Sequence, residues 1–344
     1  MLSHSQFWRI GSALCLAALC SVAVIHAQTT DPYAAGMAAF DAHQYTKAAP
    51  LFAAAEAANP GHSDALLFEG KSLANVNRFA EAETVLRQYW SQHPQSSDAL
   101  YMLGFVLNRE GKPKESLNIY TQAARLSTPK SDDLKVVAMD YVMLNDYPDA
   151  TRWMKQAVAF DPKNEEAWYG LGRCYYTQSA FPNAEQAFSR ALALDPKDVK
   201  AATNLALTLE MRNRPKDADK QYREAIALAD AEPRTDEWPY LDYASFLLDQ
   251  ARAAEAVPLL RRAVAINPKC ADCHGKLGRA LEATGEPKQA VTELERAVAL
   301  SPKDPKLHYA LGRAYRAAGM TAKAKEELAM TAKLYGTKDS TGPK

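Results

Sequence analysis

Cys270-Ala271-Asp272-Cys273-His274 is the segment of this 344-residue chain where reactive side chains stand closest to a pattern with chemical meaning. Two thiols three residues apart, followed by an imidazole, are the groups that attach and ligate a c-type haem. The same thiols can meet in a disulfide without long-range rearrangement, or persist as a free dithiol. They can also be filler with no chemistry of their own. Against haem, His274 falls at a position that other segments fill with Trp168 and His308, so an imidazole is at home there without a cofactor. A haem ligated by His274 would also displace the packing of the helices on either side. The expectation is no cofactor, with Cys270 and Cys273 able to bridge under oxidising conditions.

Catalysis has no visible seat. The sequence contains no phosphate-binding Gly loop, HExxH, GxSxG or paired metal motif, and His43, His62, His93, His274 and His308 lack a second His at helical spacing. Acidic residues recur as Asp64, Asp98, Asp132 and Glu166, each at the expected start of a helix, where a negative charge favours the helix N-terminus. These features lead us to expect neither an enzyme nor a metal site.

The elements that position these residues follow from a 34-residue period that recurs nine times. One copy holds Trp168, Leu171, Gly172 and Tyr175 at i, i+3, i+4, i+7, then Ala184, Phe188, Ala191 and Pro196, so it reads as two helices with one apolar stripe each. The Ala184 column runs Ala48, Ala82, Ser116, Ala150, Ala184, Ala218 and, after four extra residues near Ala231 to Asp236, Ala256, Ala290 and Ala324. The Gly172 column is Gly or Ala in every copy, and six copies place Pro in the Pro196 column. Between the helices stand Asn77, Gly111, Asn145, Asn213, Gly285 and Gly319, types that tolerate a left-handed backbone. Small Gly172 and Ala184 let the two helices approach closely. A single hairpin cannot bury its apolar face, whereas stacked copies can.

This pattern resembles the tetratricopeptide repeat family, with the match complete from Asn164 to Pro196. Copies from His274 to Pro302 and from His308 to Leu328 match nearly as well, while Pro32, Ala35 and Glu69 depart from the usual types. The resemblance implies an all-α, right-handed superhelical solenoid of nine hairpins. They fall at 29–62, 63–96, 97–130, 131–164, 165–198, 199–232, 237–270, 271–304 and 305–338, within an array of 28–338 that leaves 339–344, or everything from Gly336, as a flexible tail.

In this family the stripe next to the hairpin-facing one lines a concave groove that receives peptide segments or helices. Here that stripe is Tyr33, Met37 and Phe40, then Tyr101, Phe105 and Asn108, then Lys135, Met139 and Val142, then Tyr169, Arg173 and Tyr176. Its C-terminal part is basic, with Arg279, Tyr309, Arg313 and Arg316 beside Lys276 and Lys306. Tyr and Arg concentrate interface energy, though residues such as Tyr101 and Met139 would equally serve to pack neighbouring first helices. Some members clamp a carboxylate with a fixed Lys and Asn set. Tyr169, Tyr309 and Met37 stand where that Lys is expected, so no such clamp is implied. The implied function is a non-catalytic protein-interaction scaffold. Alternatives are a haem electron carrier through Cys270, Cys273 and His274, and a scaffold for envelope or polysaccharide assembly.

Charge excludes some partners. Lys plus Arg and Asp plus Glu number 41 each, so no overall field draws in nucleic acid or an anionic membrane. At the N-terminus, Arg9 precedes an apolar run from Ile10 to Ile25 that closes on His26 and Ala27. The run is short for a span of about 20 residues and reads as a signal peptide, 1–27, cleaved after Ala27, with an uncleaved inner-membrane anchor as the alternative. Removal of Arg9 leaves 40 cationic against 41 acidic side chains, a balance of −1. The expected location is periplasmic or secreted, with no membrane span after processing. The absence of an Asn-x-Ser/Thr sequon leans toward a bacterial source.

Overall fold

In the computed structural model, residues 31–61, 64–231 and 236–339 are described, so the expected signal peptide lies outside them. The chain divides into two units, the first ending at Gln92 and the second beginning at His93. Every element among the described residues is an α-helix. The first unit pairs α1 (Pro32–Asp41) with α2 (Tyr45–Ala58) and α3 (Ala65–Asn75) with α4 (Phe79–Gln92). The second opens with α5 (Ser97–Arg109), α6 (Pro113–Leu126), α7 (Ser131–Met143), α8 (Tyr147–Phe160), α9 (Glu165–Thr177), α10 (Phe181–Leu194) and α11 (Val199–Met211). It continues through α12 (Pro215–Asp230), α13 (Trp238–Asp249), α14 (Ala253–Ile266), α15 (Ala271–Ala283), α16 (Pro287–Leu300), α17 (Pro305–Ala317) and α18 (Thr321–Asp339).

Local chemistry sets both ends of these helices. Side chains of Asp31, Ser96, Asn164, Asp198 and Asp304 cap N-termini by accepting backbone N–H groups that have no intrahelical partner. At the other end of each first helix one residue turns left-handed: Asn77, Asn145 and Asn213, and Gly111, Gly285 and Gly319. The same conformation occurs at His43, Ser179 and Ala251, with φ of 56°, 57° and 58°. Those three carry no residue-type signal, so only the period marks them. The following N–H then bonds back five residues, as in Ala180 to Tyr175 at 2.9 Å and Arg252 to Leu247 at 2.8 Å, which satisfies carbonyls the helix end would leave open.

The glycine column works differently from a simple Gly–Ala approach. A Cβ on Gly172 would stand 2.6 Å from the Phe188 ring, and one on Gly104 2.6 Å from the ring of Tyr120. Glycine thus makes room for a large side chain sixteen residues on, as it also does for Phe52, Leu86, Leu294 and Leu328. Backbone of the alanine column also stands near in the last two copies, where Ala290 O and Ala324 O would lie 3.1 and 3.3 Å from Cβ atoms on Gly278 and Gly312.

In the second unit each first helix touches its own partner and also the next first helix, so that α5, α7, α9, α11, α13, α15 and α17 lie side by side. A continuous core from Ala184 to Ala324 runs from α10 to α18, and separate clusters from Leu134 to Ala187 and around Tyr120, Val136 and Val137 lie among α6 to α10. Between α5, α6 and α7 the core holds a polar group instead: Asp140 accepts from Asn108 Nδ2 at 2.8 Å and from Ser116 Oγ at 2.6 Å. Asn108 is therefore buried and does not belong to an open stripe. The tail expected from Gly336 is helical as far as Asp339, since one glycine costs a helix only about 1 kcal/mol.

Candidate partner-binding face

The stripe residues separate into those consumed by packing and those that border open space. In the first unit Tyr33, Met37 and Phe40 are half-buried against Phe52, with Tyr33 5.7 Å from its ring and Phe40 5.2 Å from that of Phe68. Tyr101 donates its hydroxyl to Ser127 O at 2.7 Å and, with Phe105, packs on Tyr120, Val136 and Val137. Lys135 is held by Asp132 at 3.1 Å and by Glu166, so part of the acidic column serves ion pairs between repeats as well as helix N-termini. Tyr176 rests its ring on Phe181 at 5.6 Å. These side chains are elements of the fold first.

Open recesses lie farther along the row of first helices. One, of about 470 Å³ between α9, α11 and α13, is bordered by Tyr169, Arg173, Lys200, Asn204, Leu207 and Trp238. Tyr169 packs on Phe188 at 5.8 Å and meets Asn204 Nδ2 with its hydroxyl at 3.4 Å, which fixes the ring while one edge remains on the recess. Trp238 is 60% exposed although it is the largest side-chain type in the chain. Asp242 borders the same recess, and burial pushes its carboxyl up to about 6 against the opposing pull of Lys276, with Glu210 and Asp272 adding to the rise. Glu165, at the start of α9, is raised to about 7 by burial and by Asp198 beside it.

A second recess, of about 320 Å³ between α15, α17 and the end of α18, is bordered by Lys276, Arg279, Lys306, Tyr309, Arg313 and Tyr335. Arg313 donates to Glu282 at 2.9 Å, and Tyr309 and Tyr335 are each 49% exposed. Arg316 is exposed but borders neither recess. Five expected residues thus come together around open space: Tyr169 and Arg173 in one place, Arg279, Tyr309 and Arg313 in another. Lys306, expected beside the basic end of the stripe, borders the second recess, whereas Lys200 and Trp238 are absent from the expected stripe. Both occupy the column of Glu166, and the loss of the acid at those copies is the available signal.

The Cys270–Cys273–His274 segment does not fit a haem. The two sulfurs are bonded to each other, with Cα atoms 5.3 Å apart. His274 is buried with Nδ1 at 2.7 Å from Glu293 and Nε2 at 3.1 Å from Pro268 O, so neither nitrogen is available as an axial ligand. His308 repeats the arrangement with Glu327 and Pro302 O, and Trp168 Nε1 donates to Pro162 O at 3.1 Å. The column holds the preceding loop carbonyl through a ring N–H, which explains the imidazole without a cofactor.

Comparison with known proteins agrees with this architecture. Two tetratricopeptide repeat family models match, one at residues 138–199 and 181–233, the other at 39–104, 247–299 and 285–336. Cellulose synthase operon protein C of Pseudomonas fluorescens is 29% identical over 137 residues, 38% of this chain and 11% of that protein. BBSome complex member BBS4 of Xenopus tropicalis is 34% identical over 77 residues, 22% of this chain and 15% of that protein. The chain therefore spans only a small part of the length of these curated relatives. Among solved structures, a tetratricopeptide repeat protein from Parabacteroides merdae superposes with a TM-score of 0.55 at 21% identity, covering 72% of this chain and 97% of that one. PilF of Pseudomonas aeruginosa gives 0.53 at 17% identity, covering 61% and 94%. At these identities the structural likeness speaks to the fold alone. With its nine hairpins, left-handed turns and glycine-for-ring packing matched by family models along most of its length, the chain belongs to the tetratricopeptide repeat family.

Proposed function

We propose that this protein is a non-catalytic scaffold that takes a segment of another protein along the first helices of its second unit. Tetratricopeptide arrays are generally protein-interaction scaffolds, and the observation that carries the reading here is Trp238. An exposed indole at the edge of a recess, beside Tyr169, Leu207 and Arg173, offers a partner a large apolar area with few rotamers to freeze. The second recess carries Lys276, Arg279, Lys306 and Arg313 against Asp272, Glu282 and Asp304, an excess of one positive charge that would favour a partner segment with a small excess of acid. Affinity selection of displayed peptides on the full chain, followed by titration of the selected peptides against W238A and Y169A, tests this. A loss of about 1 to 3 kcal/mol is expected for an interface anchor, with unchanged melting temperature for W238A, whereas Y169A also removes packing on Phe188 and lowers it. Selected peptides that bind W238A and Y169A as tightly as the parent would refute it.

Export belongs to the same proposal and rests on Arg9, the apolar run Ile10 to Ile25 and Ala27. Mass spectrometry of the protein from its native host should find Gln28 as the first residue. An intact N-terminus in the cytosolic fraction would count against it.

A further inference from the structure

Cys270 and Cys273 share one bond but not one environment. Cys270 is the N-cap of α15 and is partly exposed, whereas Cys273, one turn on, is fully buried. The Cys273 N–H points at Cys270 Sγ at 3.0 Å, which puts that sulfur at the positive end of a thirteen-residue helix with a donor already in place. Beside the pair lies Glu237, the N-cap of α13, 8% exposed and anchored by Asn267 Nδ2 at 2.9 Å. A carboxylate oxygen of Glu237 and the two sulfurs lie within 4.8 Å of one another.

A purely structural staple has little to do here. The bond spans three residues that are already fixed by Cys270 N–H to Asn267 O at 3.1 Å and His274 N–H to Cys270 O at 3.2 Å. Closing so short a loop removes little freedom from the unfolded chain. A sulfur on a half-buried residue with a donor already in place for its thiolate, a buried cysteine behind it and a carboxylate next to both are instead the parts needed for exchange.

We propose that Cys270–Cys273 is a redox-active pair that exchanges electrons with an accessible dithiol. A substrate thiolate attacks Sγ of Cys270, the less buried residue of the two, and forms a bond to it as the Cys270–Cys273 bond breaks. Cys273 leaves with the electron pair and takes up a proton. The second substrate thiolate then attacks the first substrate sulfur, and Cys270 leaves as a thiolate held by the Cys273 N–H until it too is protonated. The substrate loses two electrons and two protons, and the pair gains both. In the reverse direction Cys270 attacks a substrate disulfide, and Glu237 takes the Cys273 proton, directly or through one water, as Cys273 resolves the mixed disulfide. This exchange lies in the loop before α15 and is independent of the partner-face reading.

The test uses the full chain equilibrated with mixtures of reduced and oxidised glutathione, quenched, alkylated and read by mass spectrometry of the Cys270–Cys273 peptide. The pair is expected to pass from bridged to reduced within the ratios this couple reaches. If it stays bridged in a hundredfold excess of reduced glutathione, the bond is structural and the proposal is overturned. Exposed to oxidised glutathione, C273S should collect one glutathione on Cys270 at least tenfold faster than C270S collects one on Cys273. Equal rates would remove the assigned asymmetry. In E237Q the return of the mixed disulfide to the bridged form should slow at neutral pH and approach the parent's rate at alkaline pH, where the thiol ionises unaided, and an unchanged rate at neutral pH would overturn the role given to Glu237.

Discussion

Asp140 offers the sharpest quantitative test, because its cost to the fold is written in its surroundings. The carboxyl is fully buried between α5, α6 and α7 and accepts from Asn108 and Ser116, while the Ser116 hydroxyl also lies 2.9 Å from Gly104 O. Burial pushes it from 3.8 up to about 6, the two hydrogen bonds only partly opposing the rise. A carboxyl raised on folding binds its proton more tightly in the native state, so the stability it provides is fully present below pH 3.8 and is lost as pH rises through about 6. A shift of roughly two units costs about 3 kcal/mol at pH 7.5 and about half of that at pH 5. In D140N the new amide oxygen still accepts from Asn108, the amide nitrogen donates to Ser116, and the Ser116 hydroxyl is released to Gly104 O. Repeat arrays do not unfold as one unit, so the measurement is native-state hydrogen exchange at the amides of α5 to α7. D140N should be better protected than the parent at pH 7.5 by up to about 3 kcal/mol, and its advantage should shrink by about half at pH 5. A variant less protected at both pH values, or an advantage that does not change with pH, would show that the buried carboxylate is not what strains this layer.

The remaining expectations concern the turns, the glycine column and the partner face. Ala251 holds φ at 58° with a Cβ, so A251G should stabilise α13–α14 by up to about 1 kcal/mol by thermal melting, offset in part by the entropy glycine returns to the unfolded chain. G172A places a Cβ 2.6 Å from the Phe188 ring and should cost about 1 to 3 kcal/mol in denaturant unfolding. Asp242, pushed up to about 6, loses its charge as pH falls from 7.5 to 5, so a peptide with a cationic side chain in that recess should weaken over the interval and D242N should abolish the dependence. R279A and R313A should lower association rates in a way that fades at high salt, whereas the W238A loss should persist.

Much of the fold was legible because a repeat writes its contacts locally. Trp168, Leu171 and Tyr175 declare a helix by spacing alone, and Asn77, Gly111 and Gly285 declare a turn by residue type. His43, Ser179 and Ala251 adopt the same left-handed turn without a favourable type, since the helices on either side over-determine it. The partner face was read only in part. Tyr33, Phe40 and Tyr101 are aromatic in the expected column, yet their neighbours Phe52, Phe68 and Tyr120 are large enough to absorb them. Trp238 was assigned to no face because its column had been read as helix-end charge.

The sequence by itself determined the all-α hairpin array, the place of each turn and the presence of His274 as a repeat position, because these depend on neighbours within one 34-residue unit. Tertiary structure decided which stripe residues remain open, how Asn108, Ser116 and Asp140 meet, and which residue of the Cys270–Cys273 pair is the less buried. Those outcomes turn on the volume and polarity of side chains that arrive from the next helix or the next repeat, and a column of residue types fixes a direction without fixing what stands there.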